Sequence, residues 1–190
     1  MRRAICIGLV VLLTAAARAA PDDLGELLHL LGTRRHGHAD FVEQHFLALL
    51  SRPVESSGEL LYDAPDRLEK HTLEPRPESL MLVGDVLSIR RGGGHRRVLD
   101  LKSHPQILPF VESIRATLAG DREALERTFR VEYAGDLERW TLLLVPRESQ
   151  VAASVAQVRI DGSRENLRHV EIRLRDGDRS LMTLRDHPGP

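Results

Sequence analysis

The hydrophobic pattern changes period twice along the chain. Leu24, Leu27, Leu28 and Leu31 follow an i, i+3, i+4, i+7 spacing behind Asp22 and Asp23, either of which can cap a helix, and so predict an amphipathic helix of about three turns. Gly32 to Gly37 breaks it. From His38 the pattern is extended, with Phe41 to Leu50 broken at Ser51-Arg52-Pro53, then Val54 to Tyr62, a turn at Asp63-Ala64-Pro65-Asp66, and Arg67 to Leu73 ending at Glu74-Pro75-Arg76-Pro77. Ser79 to Val83, Val86 to Arg90 and Arg96 to Leu101 follow, separated by Gly84-Asp85 and Gly92-Gly93-Gly94. Strands this short, joined by turns this tight, predict an antiparallel meander.

After Pro105 the period becomes helical, with Ile107, Leu108, Val111, Ile114, Arg115 and Leu118 on one face, until Gly120-Asp121 stops that helix and caps a shorter one through Leu125. Extended patterning then resumes in Phe129 to Tyr133, Trp140 to Val145, Val155 to Ile160, Leu167 to Leu174 and Ser180 to Leu184. The breaks fall at Gly135-Asp136, Pro146, Asp161-Gly162 and Asp176-Gly177-Asp178. The expected fold is mainly β, with about ten or eleven strands in one antiparallel sheet, a helix in front and a helical insertion in the middle. The βαβ alternation of a Rossmann-type sheet is missing. A sheet of that size curls, and the amphipathic helices are the covers available for its inner face.

Composition changes this picture at the N-terminus. Arg2 and Arg3, an apolar run from Ala4 to Leu13, and Ala17-Arg18-Ala19 read as a secretory signal over 1–19, too short to span a bilayer, with the mature protein expected from Ala20. Removing its three arginines leaves 24 basic against 28 acidic residues, a net charge of −4, which argues against a nucleic-acid partner. Cys6 lies within the leader, so the mature chain is expected to lack disulfides, a thiolate nucleophile and a lipid anchor. Residues 20–190 are expected to form one domain around one core.

Candidate chemistry is sparse. The G-x-S-x-G, Walker and G-x-G-x-x-G signatures do not occur, so no enzyme and no cofactor are expected. His36 and His38 are a weak metal pair without a third ligand at zinc spacing, and Asp176-Gly177-Asp178 lacks the glutamate that closes a calcium loop. Glu69 and Glu74 are carboxylates with nothing in their spacing to single them out. The informative feature is aliphatic: Leu142, Leu143 and Leu144 point leucine to both faces of one strand, and the mature chain carries 28 leucines against seven aromatics. A curved sheet of this composition can enclose an apolar hollow suited to acyl chains, although plain core packing explains most of these residues. The hollow is expected to draw on Leu60, Tyr62, Leu142 and Leu144, with Trp140 near it, because these positions alternate in register along two strands.

Several segments in order resemble the periplasmic outer-membrane lipoprotein carrier proteins of the LolA type. They are His38-Ala39-Asp40-Phe41-Val42-Glu43-Gln44, Gly58-Glu59-Leu60-Leu61, Pro65-Asp66-Arg67-Leu68, Glu78-Ser79, Gly84-Asp85, Leu142 to Arg147, Val158-Arg159-Ile160 and Asp176 to Ser180. The resemblance implies an incomplete antiparallel β-barrel closed by an N-terminal helix and a central helical lid. Leu24, Leu27, Leu28, Leu31, Ile107, Val111 and Ile114 would then belong to the covering helices. It implies a monomeric periplasmic carrier, not an integral membrane protein, that shields an acylated lipoprotein or lipid-like cargo between an inner-membrane release complex and an outer-membrane receptor.

Where the carriers have a lid-holding arginine before the proline that ends the second strand, this chain has Ala64, and it stops soon after Leu184. Those departures suggest a divergent member, of the kind associated with aryl polyene or xanthomonadin-type systems. A periplasmic lipid-sensing or regulatory binding module is the alternative, and a lipid hydrolase a distant third.

Overall fold

The computed structural model describes residues 23–104 and 108–187. The expected leader at 1–19 and Ile107 lie outside them. The first helix, α1 (Asp23–Thr33), buries Leu27, Leu28 and Leu31 as its spacing requires. Six strands follow: β1 (His36–Phe46), β2 (Val54–Asp63), β3 (Arg67–Glu74), β4 (Glu78–Val83), β5 (Val86–Arg91) and β6 (Arg97–Asp100). A 3-10 turn at Leu101–Ser103 leads to α2 (Leu108–Ala119) and α3 (Arg122–Thr128). The chain then returns through β7 (Phe129–Asp136), β8 (Arg139–Pro146), a short α4 (Ser149–Ala152), β9 (Val155–Ser163), β10 (Asn166–Leu174) and β11 (Arg179–Asp186).

All eleven strands form one antiparallel sheet in the order β6-β5-β4-β3-β2-β1-β11-β10-β9-β8-β7. Every neighbouring pair is consecutive in sequence except β1 and β11, which join two meanders through pairs such as Phe41↔Leu184 and Glu43↔Met182. The edges β6 and β7 do not pair, so the barrel stays open. The chain between those edges is the segment that carries α2 and α3, which explains why the helical insertion crosses the concave side.

Two helices close over that concavity in different ways. Leu27, Leu28 and Leu31 of α1 are buried in one cluster with Phe129, Trp140, Leu142, Leu144, Val158 and Ile160. There the space between helix and strands β7–β9 is filled. The helix α2 meets α1 where Gly120, at φ +66°, ends it: a Cβ at Gly120 would lie 2.0 Å from the Leu28 carbonyl oxygen, and one at Gly32 2.8 Å from that of Ala119. Only paired glycines allow this backbone contact. Ser113, Ala116 and Thr117 are buried along α2, and Thr117 Oγ1 donates to the Ser113 carbonyl at 2.7 Å.

Two local readings needed revision. The apolar run expected to be extended as far as Leu50 leaves the sheet after Phe46, and the following loop leaves Leu49 98% and Leu50 50% exposed. The Asp178 carboxylate accepts from the Ala48 amide at 2.8 Å, so this backbone is tied to the β10–β11 turn instead of continuing the ladder. The helix α4 follows Pro146 and is too short to show a helical period.

Candidate functional site

On the other half of the concave face, helix and sheet stand apart. A cavity of about 570 Å³ lies between α2 and the inner face of β1–β5, β10 and β11. Its roof is Val111, Ile114 and Leu118, an i, i+3, i+7 stripe on α2 distinct from the side that packs on α1. Its floor includes Leu60, Leu68, Leu80, Leu82 and Leu87 from one meander and Val170, Ile172, Leu174, Met182 and Leu184 from the other. Most of the wall is aliphatic, and charged side chains such as Arg34, Glu43, Lys70 and Arg179 also line it. The aliphatic part offers dispersion and dryness.

Of the residues predicted to line the hollow, Leu60 and Tyr62 do so. Trp140, Leu142 and Leu144 share the same sheet face, but they lie 1%, 0% and 0% exposed under α1 in the filled half. The Trp140 ring rests on Gly162, where a Cβ would fall 2.1 Å from it, and its indole N–H donates to the Arg164 carbonyl at 2.8 Å. Of the predicted covering residues, Val111 and Ile114 form the roof, Leu24 packs against the filled core, and Leu27, Leu28 and Leu31 belong to it.

The tie between α2 and the sheet comes from the helix. Arg115 donates to the Gly84 carbonyl at 3.0 Å and lies 3.7 Å from the Asp85 carboxylate. Lys102 also pairs with Asp85 at 3.0 Å, and its hydrogen bond, outweighing a small cost of burial, is the main reason that carboxyl is held below its usual range. The Ala64 amide donates to the Arg35 carbonyl at 2.8 Å.

A polar cluster centred on Glu43 stands at one end of the cavity. Glu43, 5% exposed, accepts from Lys70, from Ser180 Oγ at 2.6 Å, and lies 3.3 Å from His45 Nε2. Burial pushes its carboxyl upward, but the hydrogen bond from His45, the Lys70 charge, and the bonds from Lys70 and Ser180 outweigh it and bring the pKa down to about 2. At the opposite end, where β2 pairs Tyr62 with Gly37 and Leu68, the Tyr62 hydroxyl is buried without a hydrogen-bond partner among the described residues, and burial raises its pKa. Sequence reasoning missed the Glu43 cluster. Glu43 and Lys70 are 27 residues apart on β1 and β3, and the visible signal was a glutamate and a lysine on the strand faces that otherwise carry Phe41 and Leu68.

The other candidates separate. Glu69 pairs with Arg67 at 2.6 Å and His71 at 2.9 Å, whereas Glu74 stands exposed at the end of β3. His36 pairs with Asp63 at 2.8 Å, and His38 stacks on His187 at 3.9 Å; these line a smaller hollow of about 390 Å³. Among the described residues no group of three histidine, cysteine or acidic side chains is arranged to hold a metal. Asp176-Gly177-Asp178 forms the β10–β11 turn, with the Asp178 amide donating to Asp176 at 3.0 Å. No helix among the described residues is long and apolar enough to cross a membrane.

Comparison with known proteins follows the same lines. Residues 15–186 match the family described as outer membrane lipoprotein carrier protein LolA-like. Among solved structures, a LolA superfamily protein from Nitrosomonas europaea is similar at 12% identity and TM-score 0.43, over 88% of this chain and 95% of that one. A domain from Vibrio parahaemolyticus assigned to outer membrane lipoprotein sorting is similar at 11% identity and TM-score 0.43, over 88% and 92%. No curated protein matches the sequence.

Proposed function

We propose that this chain, which belongs to the outer membrane lipoprotein carrier protein LolA-like family, holds an acyl chain of a lipoprotein or lipid-like cargo beneath α2 and carries it across the periplasm. The observation that carries this reading is the 570 Å³ aliphatic cavity between α2 and the open sheet. Each methylene kept in water costs about 0.8 kcal/mol, so a chain of about 15 methylenes faces a barrier of roughly 12 kcal/mol to unaided transfer. A dry hollow removes most of that barrier without any catalytic group.

In this reading residues 1–19 direct export and are removed, residues 20–190 act as one monomeric carrier domain, and membrane-bound partners load and unload it. The open edges and the roof supply the route: lifting α2 means breaking the Arg115 contacts to Gly84 and Asp85, while the α1–α2 glycine contact acts as the fixed end. Cargo hydrocarbon then fills the space between roof and floor.

Native mass spectrometry of the protein taken from its own periplasm tests this directly. The expected result is a chain starting at Ala20 with an acylated molecule bound. A retained leader overturns the periplasmic route, and failure to bind any acyl probe overturns the carrier reading.

A further inference from the structure

The inner face of the sheet is apolar where Tyr62, Leu68 and Leu82 form one cross-strand row, and polar where β1 carries Glu43 and His45 and β11 carries Ser180. Lys70 stands at the boundary. It sits in the row with Leu60 and Leu80, yet its side chain crosses β2 to reach Glu43 on β1, passing a position, Gly58, that has no side chain. Its ammonium lies 4.8 Å above the Phe41 ring. Replacing such a pair whole by apolar side chains would cost little, since desolvation offsets its attraction, although removing one partner and leaving the other charge behind is destabilising. The two partners are also unequal. The Glu43 side chain is buried and engaged by Lys70, Ser180 and His45, whereas the Lys70 side chain is 23% exposed, lines the cavity, and has N–H groups left with no acceptor among the described residues.

We infer that Lys70, held by Glu43, is the headgroup subsite of the cavity, donating to an acyl carbonyl or anionic oxygen of a cargo whose hydrocarbon lies along the leucine-lined part. This rests on the carrier reading and deepens it. An acyl chain alone would leave the remaining N–H groups of the ammonium dry and unsatisfied. An acceptor oxygen beside the chain restores the hydrogen bonds lost when water leaves.

Competition of hexadecanoate, methyl hexadecanoate and hexadecyltrimethylammonium against a fluorescent acyl probe tests it. The alkyl chains differ by one methylene, in favour of the cationic ligand, and the head is what otherwise varies. The two oxygen-bearing ligands should bind the wild-type protein about tenfold or more tightly than the cationic one. Lys70→Arg should keep that order, and Lys70→Met should reduce the difference to about twofold or less. If Lys70→Met alone fails to fold by circular dichroism, the double variant Glu43→Gln/Lys70→Met removes both charges together and should show the same loss of discrimination. Equal binding of all three by the wild-type protein, or unchanged discrimination in the charge-free variant, overturns the subsite and leaves the carrier reading standing. Binding of none of the three overturns both.

Discussion

Replacing Glu43 by glutamine should destabilise the protein at neutral pH and do so less and less as the solution is acidified. The Glu43 carboxyl falls from its usual 4.5 to about 2 in the folded protein. At about 1.36 kcal/mol per pH unit, the excess of its ion pair and hydrogen bonds over the cost of its burial amounts to roughly 3 kcal/mol of stability. Because the folded pKa is depressed, that stability is fully present above about 4.5 and is lost as the pH falls from there towards 2. Glutamine retains an acceptor for Ser180 but leaves Lys70 without its counter-charge, so the variant should be less stable by most of that amount at pH 7. Urea unfolding followed by the fluorescence of Trp140, the sole tryptophan and 1% exposed, measures both proteins at a series of pH values. Other carboxyls titrate in both, and the difference between the two curves isolates Glu43. A gap that stays constant between pH 7 and pH 2 would refute the reasoning, because it would mean that the carboxyl ionises alike in the folded and unfolded chain.

Leu142→Ala should cost about 2 to 5 kcal/mol of stability while leaving acyl-probe affinity nearly unchanged, since Leu142 is 0% exposed in the filled half of the core. Leu60→Asp should do the reverse, abolishing probe binding in a protein that still folds, because Leu60 is half-buried and faces the cavity; equal effects of the two on probe binding would contradict the division of the concave face. Tyr62→Phe should be neutral or stabilising by up to about 1 kcal/mol in thermal unfolding, because its hydroxyl is buried with no partner among the described residues, and a clear loss would mean that the hydroxyl is satisfied. Arg115→Ala should speed amide exchange along α2 by about tenfold without changing exchange in β8, and uniform exchange in both would show that Arg115 does not hold the roof.

Much of this fold is legible locally. Strand alternation such as Trp140, Leu142 and Leu144 against Leu143, turns at Gly84-Asp85 and Asp176-Gly177-Asp178, and the helical spacing from Leu108 to Leu118 each need only a few neighbouring residues to be read. All eleven strands pair with a sequence neighbour on at least one side, and only the β1–β11 pairing joins strands distant in sequence, so the meanders follow almost directly from the strands. The resemblance of ordered segments to the LolA type likewise pointed to the family that residues 15–186 match.

What the sequence by itself determined is therefore which residues face inward, because side-chain direction follows the period of the local backbone. Whether an inward residue meets another side chain or an empty space is not a local property. It depends on where α1 and α2 come to rest, which the Gly32–Gly120 contact between distant segments fixes. That docking puts Leu142 and Leu144 in solid core and Leu60 and Tyr62 on a cavity, although all four belong to the same pattern. In the same way, Glu43 and Lys70 read separately as charges on strand faces. Only the tertiary structure, by placing β1 and β3 on either side of β2 with Gly58 between them, made them an ion pair at the cavity wall.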